Sequence, residues 1–584
     1  MAQAPDSTTT APSTMTANTQ PAAAEGPVLH GIGVGRGAVA GPVVRAYPAP
    51  KIPANAPAPA DPEAAAKHLS EALAAVSQSI SERANNATGT LAEVLEATAE
   101  MAADPDMGEM AVEKVLAGTD PAVAIAQVIN IYADMFQDAG GYMAERITDL
   151  FSIRDRVIAR LHNLPEPGVP PLTGPAVVVA QDLSPADTGA LDISKVLGIV
   201  LEHGGPTAHT AIIAGQLGLP CIVRVPGAEA LRDGETVALD AAHGRVTVHP
   251  SEATIAAVES RQKALAALSD DTEPGTTSDG HKVQLLANIG TEEDAERLKG
   301  EAVEGVGLFR TEVLFLDAQT APTQAEQTEA YTQVLDDVKP RKVVIRTIDA
   351  GADKPLAFAT MPGEENPALG VRGYRLVRTA PELLSTQLAA IGAAGKATGT
   401  EPWVMAPMIA TVGEARDFAA TAHEAGVKKV GVMIEVPSAA IQAKEILREV
   451  DFVSMGTNDL AQYTMATDRL AGNLADLLNV WQPGVLYLVR RTAKAGLELH
   501  KPVGVCGESA GDPLMALVLT GMGVTSLSMA PKSVPAVRFA LKHHTYAQCE
   551  AIAHAALHAR TASEAREAAL ALVAPEVVSV LALK

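Results

Sequence analysis

The sequence predicts a multidomain α/β protein, in which a β/α domain with an inserted helical bundle precedes a (β/α)8 TIM barrel. The chain has 584 residues, which is too long for one hydrophobic core and indicates several domains. A helical pattern fills residues 61–164 and is flanked by short apolar runs broken by glycine. Beyond residue 280, eight short apolar runs alternate with helical patterns, which is typical of a barrel of about 250 residues or more.

Composition and charge exclude several classes of protein. Hydrophobic residues make up 47% of the chain and charged residues 20%, so folded cores are expected. Asp and Glu total 69 against 45 for Lys and Arg, and this net charge of -24 argues against nucleic acid or an anionic membrane as a general partner. Three scattered cysteines, and no apolar run long enough to span a membrane, favour a reducing, cytoplasmic location.

Shifts in composition divide the chain into successive stretches. The predicted organisation is a disordered tail at 1–26, a β/α domain at 27–60 and 165–250, a helical insert at 61–164, a helix and acidic linker at 251–280, and the barrel at 281–584. Within the insert, Leu69, Leu73, Val76 and Ile80 recur at helical spacing and form a face for a partner helix.

The apolar runs after the linker predict the strands of the barrel. They lie at 283–287, 306–309, 343–345, 403–406, 430–434, 452–455, 503–505 and 527–529. Because the carboxyl ends of barrel strands share one rim, where active sites of this fold lie, the side chains just past these runs are candidate site residues.

Arginines are the first group of candidates at this rim. Arg310 and Arg346 end the second and third runs, and Arg372 and Arg469 lie in later loops. A guanidinium group suits bidentate recognition of carboxylate or phosphate. The rim therefore predicts a pocket for a small anionic ligand.

Two carboxylates and a thiol follow later runs. Glu435 and Asp459 are suited to Mg²⁺, which prefers a couple of carboxylates plus water and substrate oxygens, although a pair of structural acids fits their spacing equally well. Cys506 fits a buried core thiol, but at a rim it could also give a proton to a carbanion or an enolate.

A separate candidate is His209, in the stretch 204–213. Two glycines and a proline form a turn, Thr207 can cap the next helix, and that helix extends to about Leu217. The start of a helix favours an anion and disfavours an imidazolium, so a neutral imidazole that becomes phosphorylated suits the position. A half-buried structural histidine is the alternative.

Six longer motifs resemble enzyme I of the bacterial sugar phosphotransferase system, the phosphoenolpyruvate–protein phosphotransferase family. The resemblance extends from about residue 28 to residue 541. The motifs are GGPTAHTAI (204–212), GVGLFRTEVLFLD (305–317), VVIRTIDAGADKPL (343–356), VGVMIEVPSAA (430–440), VDFVSMGTNDLAQYTMATDR (450–469) and PVGVCGESAGDP (502–513).

The resemblance implies a role for each motif. His209 would accept the phosphoryl group of phosphoenolpyruvate on Nε2 and pass it to the carrier protein HPr, and Cys506 would protonate the enolpyruvate carbon. Family positions that bind phosphoenolpyruvate correspond to Arg310, Arg346, Lys354, Arg372, Asn458 and Arg469, and the Mg²⁺ ligands correspond to Glu435 and Asp459. In the family the helical insert binds HPr and the barrel mediates dimerisation, which implies a homodimer that acts in sugar uptake.

Two positions depart from the family pattern. The histidine helix usually continues as Ala-Arg, but here it reads Ala214-Gly215. In the last insert helix, the family's usual Asp-Val-Arg-Asp is replaced by Asp-Leu-Phe-Ser at 149–152. The charged side chains of residues 154–156 are expected to compensate in part for the missing arginine and aspartate.

Other functions stay open at this stage. The departures from the family pattern are compatible with a regulatory relative of weakened activity. A dikinase or synthase shares the histidine and barrel domains but requires an ATP-binding domain, for which the helical insert offers no phosphate-binding glycine loop. If the histidine moves between two partners, the linker at 269–280 is a candidate hinge.

Overall fold

The computed structural model describes residues 26–583, with short gaps at 35–36, 53–55, 86–89, 140–145, 184–186, 188–190, 205–209, 212–213, 215–218, 316–317, 351–355, 361–362, 469–473 and 475. The predicted tail therefore falls almost entirely outside the described residues. The chain divides into two compact units. The first comprises Met1–Gly33, Ala38–Gly205 and Pro220–Glu259, and the second comprises Val34–Gly37, Pro206–Leu219 and Ser260–Lys584.

An eight-stranded mixed sheet forms the β/α part of the first unit. Its strands are β1 (Val28–His30), β2 (Ile32–Val34), β3 (Ala38–Arg45), β4 (Ala176–Ala180), β5 (Val196–Leu201), β6 (Cys221–Val223), β7 (Thr236–Asp240) and β8 (Arg245–Val248). The strand order is β1-β8-β7-β3-β4-β5-β6-β2. Strands β3 to β6 pair in parallel, whereas β7 pairs antiparallel with β3 and β8. The apolar runs around the histidine stretch are thus confirmed as strands of one sheet.

The helical insert contains five described helices. They are α1 (Pro62–Ala84), α2 (Thr90–Ala102), α3 (Pro105–Leu116), α4 (Pro121–Ala139) and α5 (Ile147–Leu161). Asp61 caps α1, because its carboxylate accepts a hydrogen bond from the Ala64 amide at 3.0 Å. The predicted face of α1 is buried in the bundle core at Leu69, Leu73, Val76 and Ile80.

A closed parallel barrel forms the centre of the second unit, and it confirms the predicted fold. Its strands are β9 (Gln284–Ile289), β10 (Gly305–Arg310), β11 (Lys342–Arg346), β12 (Trp403–Ala406), β13 (Lys429–Ile434), β14 (Phe452–Met455), β15 (Val503–Val505) and β16 (Ser526–Met529). Each strand pairs with the next, and β16 returns to β9. Each predicted run overlaps one strand.

Helices surround this barrel and lead into it. They are α6 (Glu252–Ala267), α7 (Glu292–Arg297), α8 (Gln324–Val338), α9 (Pro381–Thr398), α10 (Val412–Glu424), α11 (Pro437–Ile441), α12 (Ala443–Glu449), α13 (Thr457–Met465), α14 (Pro483–Leu499), α15 (Pro513–Gly521), α16 (Val534–Lys542), α17 (Tyr546–Leu557), α18 (Ala562–Leu570) and α19 (Pro575–Leu581). No helix among the described residues has both the length and the apolar character to cross a membrane.

The acidic linker is anchored to the barrel unit. Asp271 pairs with Lys542 at 2.7 Å, and the Ser278 amide donates to the His544 carbonyl at 2.9 Å. Helix α6 contains no buried residue, but Leu265 near its end and the following Leu268 pack against the barrel core. Contacts therefore fix the chain to the barrel unit from Leu265 through the predicted linker.

We predict that Arg538 is essential for anchoring this linker. Its guanidinium is buried and donates to the backbone carbonyls of Asp271 and Ala302. Replacement by Met leaves both carbonyls without their charged donor, so Arg538→Met should lower the free energy of unfolding by about 3 kcal/mol. Both tryptophans of the chain, Trp403 and Trp481, lie in the barrel unit, so their fluorescence in urea measures this change.

The matched control is Arg297→Met, because the Arg297 side chain is 74% exposed. This variant should remain within about 0.5 kcal/mol of the wild type. Equal effects of the two substitutions would show that the contacts of Arg538 do not hold the linker in place.

Candidate active site at the carboxyl rim of the barrel

The structure brings most of the predicted site residues to one rim. Each of them ends a barrel strand or lies in the loop or helix that follows it: Arg310 ends β10, Arg346 ends β11, Arg372 lies between β11 and α9, Glu435 follows β13, Asn458 and Asp459 open α13, and Cys506 follows β15. Because all eight strands are parallel, their carboxyl ends converge at one end of the barrel. Lys354, Arg469 and His209 lie outside the described residues, so their roles stay predictions.

A continuous chain of buried ion pairs crosses the rim. Arg346 pairs with Glu312 at 2.5 Å and with Asp349 at 3.0 Å. Asp349 also receives two hydrogen bonds from Arg372, at 2.8 and 3.2 Å. Arg372 then reaches Asp459 at 3.2 Å, so the two arginines are held in place by three carboxylates.

The neighbouring acids also determine the charge state of the arginines. Burial by itself would lower the pKa of Arg372, but the carboxylates of Asp349 and Asp459 more than offset burial and raise that pKa above its ordinary value. The same balance, with Glu312 and Asp349 as the main acids, raises the pKa of Arg346. Both guanidinium groups are therefore permanently charged donors toward an anion at the rim.

Arg310 differs from these two arginines. Its side chain is half-buried, and no hydrogen bond or ion pair joins it to another described residue. Burial raises the pKa of the Cys506 thiol, and the nearby charge of Arg310 opposes a small part of that shift. Within the described part of the chain, Arg310 therefore has its donors available for a ligand.

Glu435 is the most unusual group of the rim. Its side chain is fully buried, Oε1 accepts from the Met408 amide at 2.6 Å, and Oε2 has no hydrogen-bond partner among the described residues. Burial, with the negative charges of Asp459 and Asp349, raises the pKa of Glu435 to about 8. A buried carboxylate oxygen without a donor is suited to bind a cation.

The backbone next to Glu435 leaves room for that oxygen. A Cβ atom at Gly456 would lie 2.6 Å from Oε2 of Glu435, which is closer than real contacts allow. Glycine at position 456 therefore leaves room for the Glu435 carboxylate between the end of β13 and the start of α13.

Glu435 decides the charge balance of the described rim. Four carboxyl groups face three guanidinium groups, and these are Glu312, Asp349, Glu435 and Asp459 against Arg310, Arg346 and Arg372. With Glu435 protonated, as its raised pKa implies at neutral pH, the charges cancel; a divalent cation held by Glu435 and Asp459 would displace that proton and leave the rim attractive to an anion. The residues present thus fit Mg²⁺, which needs only one or two protein carboxylates.

Cys506 lies just past β15 and is buried in the barrel. Its side chain is 2% exposed, and its thiol lies 3.7 Å from the Met455 carbonyl oxygen. Burial raises the pKa of Cys506 to about 11, so the group carries its proton at neutral pH. Nearby, Asn458 accepts a hydrogen bond from the Glu508 amide at 3.3 Å, which joins the loops after β14 and β15.

Sequence reasoning missed two members of the ion-pair chain, Glu312 and Asp349. Both stand in the motifs that carry the arginines, two residues after Arg310 and three residues after Arg346. An acid that close to a strand-end arginine could have been read as its partner. The signal was present, but spacing alone does not distinguish a partner acid from a solvated one.

The histidine stretch is described only in part. Gly204 adopts a left-handed backbone with φ of +83°, which favours glycine, and its carbonyl accepts from Arg224 at 2.9 Å. Thr210, Ala211 and Ala214 are helical, as the sequence predicts. Gly215, like His209, lies outside the described residues.

The last helix of the insert corrects one expectation. Arg156 is buried and pairs with Glu166 at 3.2 Å and with Asp187 at 3.1 Å. Arg154 pairs with Asp155 at 2.7 Å, and its guanidinium lies 4.7 Å above the ring of Phe151. Arg156 therefore cannot compensate for the arginine that the family has at position 151, because the charge of Arg156 is already neutralised by Glu166 and Asp187 inside the first unit.

Comparison with known proteins identifies three consecutive family regions. The descriptions that match are PEP-utilising enzyme, N-terminal, at residues 30–146; PEP-utilising enzyme, mobile domain, at 172–244; and PEP-utilising enzyme, PEP-binding domain, at 265–546. The third region contains the whole barrel with its rim, and the second contains the histidine stretch.

Full-length relatives extend this result. The chain is 46% identical over 554 residues to the phosphoenolpyruvate-protein phosphotransferase of Streptomyces coelicolor, which covers 94% of this chain and 98% of the relative. Proteins of the same name match from Haloferax volcanii, at 37% identity over 82% of this chain and 86% of the relative, and from Bacillus subtilis, at 33% identity over 86% and 92%.

We predict that Glu435 binds the cation at the expense of stability. Glu435→Gln replaces a buried carboxylate by a neutral amide, so in metal-free buffer the variant should be at least as stable in urea as the wild type. Mg²⁺ should raise the urea midpoint of the wild type but not that of the variant, because only the native state of the wild type binds the ion. Glu445→Gln, on the exposed face of α12, should respond to Mg²⁺ as the wild type does. An equal response of all three proteins would exclude Glu435 as a ligand.

Proposed function

The chain belongs to the phosphoenolpyruvate–protein phosphotransferase family, and on that basis we propose that it transfers the phosphoryl group of phosphoenolpyruvate to His209 and from there to the carrier protein HPr, with release of pyruvate. The observation that carries this proposal is the rim of the barrel, where charged arginines, a carboxylate with an unpaired oxygen and a protonated thiol converge.

The arginines supply the binding of the phosphoryl donor. Phosphoenolpyruvate carries a carboxylate and a phosphate, and planar guanidinium groups bind both. Arg346 and Arg372 are fixed by their carboxylate partners, so they lose little freedom when the ligand binds. Arg310 has no partner among the described residues, and Lys354, Asn458 and Arg469 are proposed to complete the site.

Glu435 and Asp459 would hold Mg²⁺ next to these arginines. The ion, when bound, neutralises charge on the phosphoryl oxygens. Phosphoryl transfer requires positioning and charge neutralisation more than covalent chemistry by the protein, and the rim is built for both.

The chain's own residues account for the bonds that change. Nε2 of His209 forms a bond to phosphorus while the bond from phosphorus to the enol oxygen breaks, so the histidine carries the covalent intermediate. The electron pair left on enolpyruvate takes a proton from the Cys506 thiol at its terminal carbon. Because this step gives the more stable keto form, pyruvate, it makes transfer to the histidine favourable.

The acceptor and the setting are part of the same proposal. The helical insert would bind HPr, the barrel would form the dimer contact, and the enzyme would act in the cytoplasm in sugar uptake. The three free, buried cysteines are compatible with a reducing compartment. Phe151 and Ser152, where the family has an arginine and an aspartate, lie on α5 and would alter the contact with the carrier.

We predict that His209 accepts the phosphoryl group. With phosphate-labelled phosphoenolpyruvate and Mg²⁺, the wild type should gain about one acid-labile, alkali-stable phosphate per chain, as a phosphohistidine does. His209→Ala should gain none, whereas His203→Ala, an exposed histidine six residues earlier, should label normally. Equal labelling of wild type and His209→Ala would disprove the central claim.

Purified HPr from the same source completes this experiment. Loss of label from His209 and its appearance on HPr would identify a transferase. Stable label that HPr does not remove would instead identify a regulatory relative, and label that requires ATP would identify the dikinase type.

We predict that Cys506 acts only on the donor side. Cys506→Ala should slow turnover from phosphoenolpyruvate by about 100-fold, the usual scale of general acid catalysis, and leave phosphate exchange between HPr and His209 unchanged. Cys549→Ala, a buried thiol on α17, should affect neither reaction. Equal losses in both reactions of Cys506→Ala would exclude the acid role.

A further inference from the structure

A network of buried polar side chains lies directly behind the two arginines that end β10 and β11. Its central members are Thr311, Tyr331 and Gln387, and each of them is at most 1% exposed. A buried polar group is costly unless it is hydrogen-bonded, and apolar side chains would fill the same space at no such cost. The position of these three groups therefore points to a role other than packing.

Gln387 of α9 joins the members of this network. Its Nε2 donates to Thr311 Oγ1 and to the Tyr331 hydroxyl, both at 2.9 Å, and its Oε1 accepts from the Ile348 amide at 2.9 Å. A backbone amide can only donate, so the contact with Ile348 fixes which way the Gln387 amide is turned. Both of its N–H groups then point at the two hydroxyls.

Thr311 extends the network to the ends of the strands. Its hydroxyl donates to the backbone carbonyl of Arg346 at 2.9 Å and accepts from Gln387. Thr311 directly follows Arg310, and Ile348 lies two residues after Arg346. The network therefore holds the segment after β10 and the segment after β11 to each other and to α9.

Helix α8 supplies the outer part of the network. The Tyr331 hydroxyl donates to Gln327 Oε1 at 3.0 Å, and Gln327 Nε2 donates to the Pro322 carbonyl at 3.0 Å. None of these side chains contains a buried polar atom without a partner. A buried network that is fully paired in this way is rigid and favours one arrangement of the segments it joins.

The strand ends that the network joins carry two like charges side by side. Arg310 and Arg346 face each other in the register of β10 and β11, and neighbouring strands lie about 4.8 Å apart. Two guanidinium groups at such spacing repel each other unless negative charge lies close to both. Their backbone must therefore be held in place while no ligand is bound.

Strand pairing by itself does not fix this geometry, because the end of β10 is irregular. β10 advances three residues from Val306 to Phe309, while its partner β11 advances only two. Such a bulge disrupts the ladder and redirects the side chains near it. The position of Arg310 therefore depends on contacts beyond the strand, and Thr311 makes them.

We propose that Thr311 and Gln387 are positioning residues, which hold Arg310 and Arg346 at the separation that one small anion can bridge. The proposal rests on the proposed function, in which these arginines bind phosphoenolpyruvate. Neither residue needs to touch the ligand, because Thr311 acts through the backbone beside Arg310 and Gln387 acts through Thr311 and Ile348.

The test measures binding apart from turnover. His209→Ala serves as the parent protein, because it lacks the proposed acceptor and should not consume phosphoenolpyruvate. Calorimetry then gives its Kd for phosphoenolpyruvate in the presence of Mg²⁺. Thr311→Val keeps the shape of the side chain but leaves the Arg346 carbonyl and one N–H of Gln387 without a partner, so this Kd should rise about tenfold.

Two control variants assign the effect to this hydroxyl. Thr311→Ser restores the hydroxyl, and its Kd should stay within about twofold of the parent. Thr492→Val removes another fully buried hydroxyl of the barrel unit, one that donates to the Leu488 carbonyl within α14 at 3.0 Å, and it should bind as the parent does.

A substitution on α9 tests the network from its other side. Gln387→Met has a similar length but removes all three hydrogen bonds of the amide, so it should also raise the Kd about tenfold. It answers the same question if Thr311→Val does not fold. The double variant should be no weaker than the weaker single variant, because both changes break one network.

A loss of stability alone would not give these results. A variant that is only less stable is still almost entirely folded without urea, and it binds with unchanged affinity. In the background that retains His209, phosphate exchange with HPr does not involve the rim. Exchange should therefore be normal in Thr311→Val and Gln387→Met, while the KM for phosphoenolpyruvate rises.

Three results would overturn the positioning role. An unchanged Kd in Thr311→Val and Gln387→Met would show that the network does not hold the arginines. Equal losses in Thr311→Ser and Thr311→Val would assign the effect to the methyl group, and additive losses in the double variant would show that the two residues act separately. If instead the parent protein does not bind phosphoenolpyruvate at all, the failure lies in the proposed function.

Discussion

The close packing of four buried or nearly buried carboxyl groups at the carboxyl rim is the constraint on which the rest of the site depends. The arginines are held by Glu312, Asp349 and Asp459, and this leaves Glu435 with a buried oxygen that no described residue satisfies. A core optimised for stability would not keep such a group. A cation bound to this group, as proposed, would satisfy the oxygen and would make the rim attractive to an anion. On that proposal, stability and function are in opposition at this position.

The rim of the barrel and the interior directly beneath it differ in chemical character. The rim collects permanent charges, which suits binding and orientation of an anionic phosphoryl donor. Beneath it, Cys506 packs among buried apolar side chains of the barrel interior, which include Leu308, Met405 and Met433. The barrel is thus a packed scaffold that holds the charged groups of the rim in place.

The consequence of a departure from the family pattern depends on contacts that only the folded first unit shows. Residues 154–156 supply three charges next to the altered Phe151-Ser152 pair, and their number suggests compensation. In the fold, Arg156 is directed inward to Glu166 and Asp187, and Arg154 is occupied by Asp155 and the Phe151 ring. The surroundings of Phe151 on α5 are therefore more aromatic and less charged than spacing alone indicates.

The sequence by itself determined the fold class, because periodicity is a local property that each strand and helix carries in its own residues. All eight barrel strands and the face of α1 were predictable in this way, and parallel strand ends then placed Arg310, Arg346, Glu435 and Cys506 at one rim. Only the tertiary structure decided which charges pair. Asp349 joins two arginines, and Glu435 has no partner for one oxygen among the described residues, since both depend on distances between segments far apart in the chain.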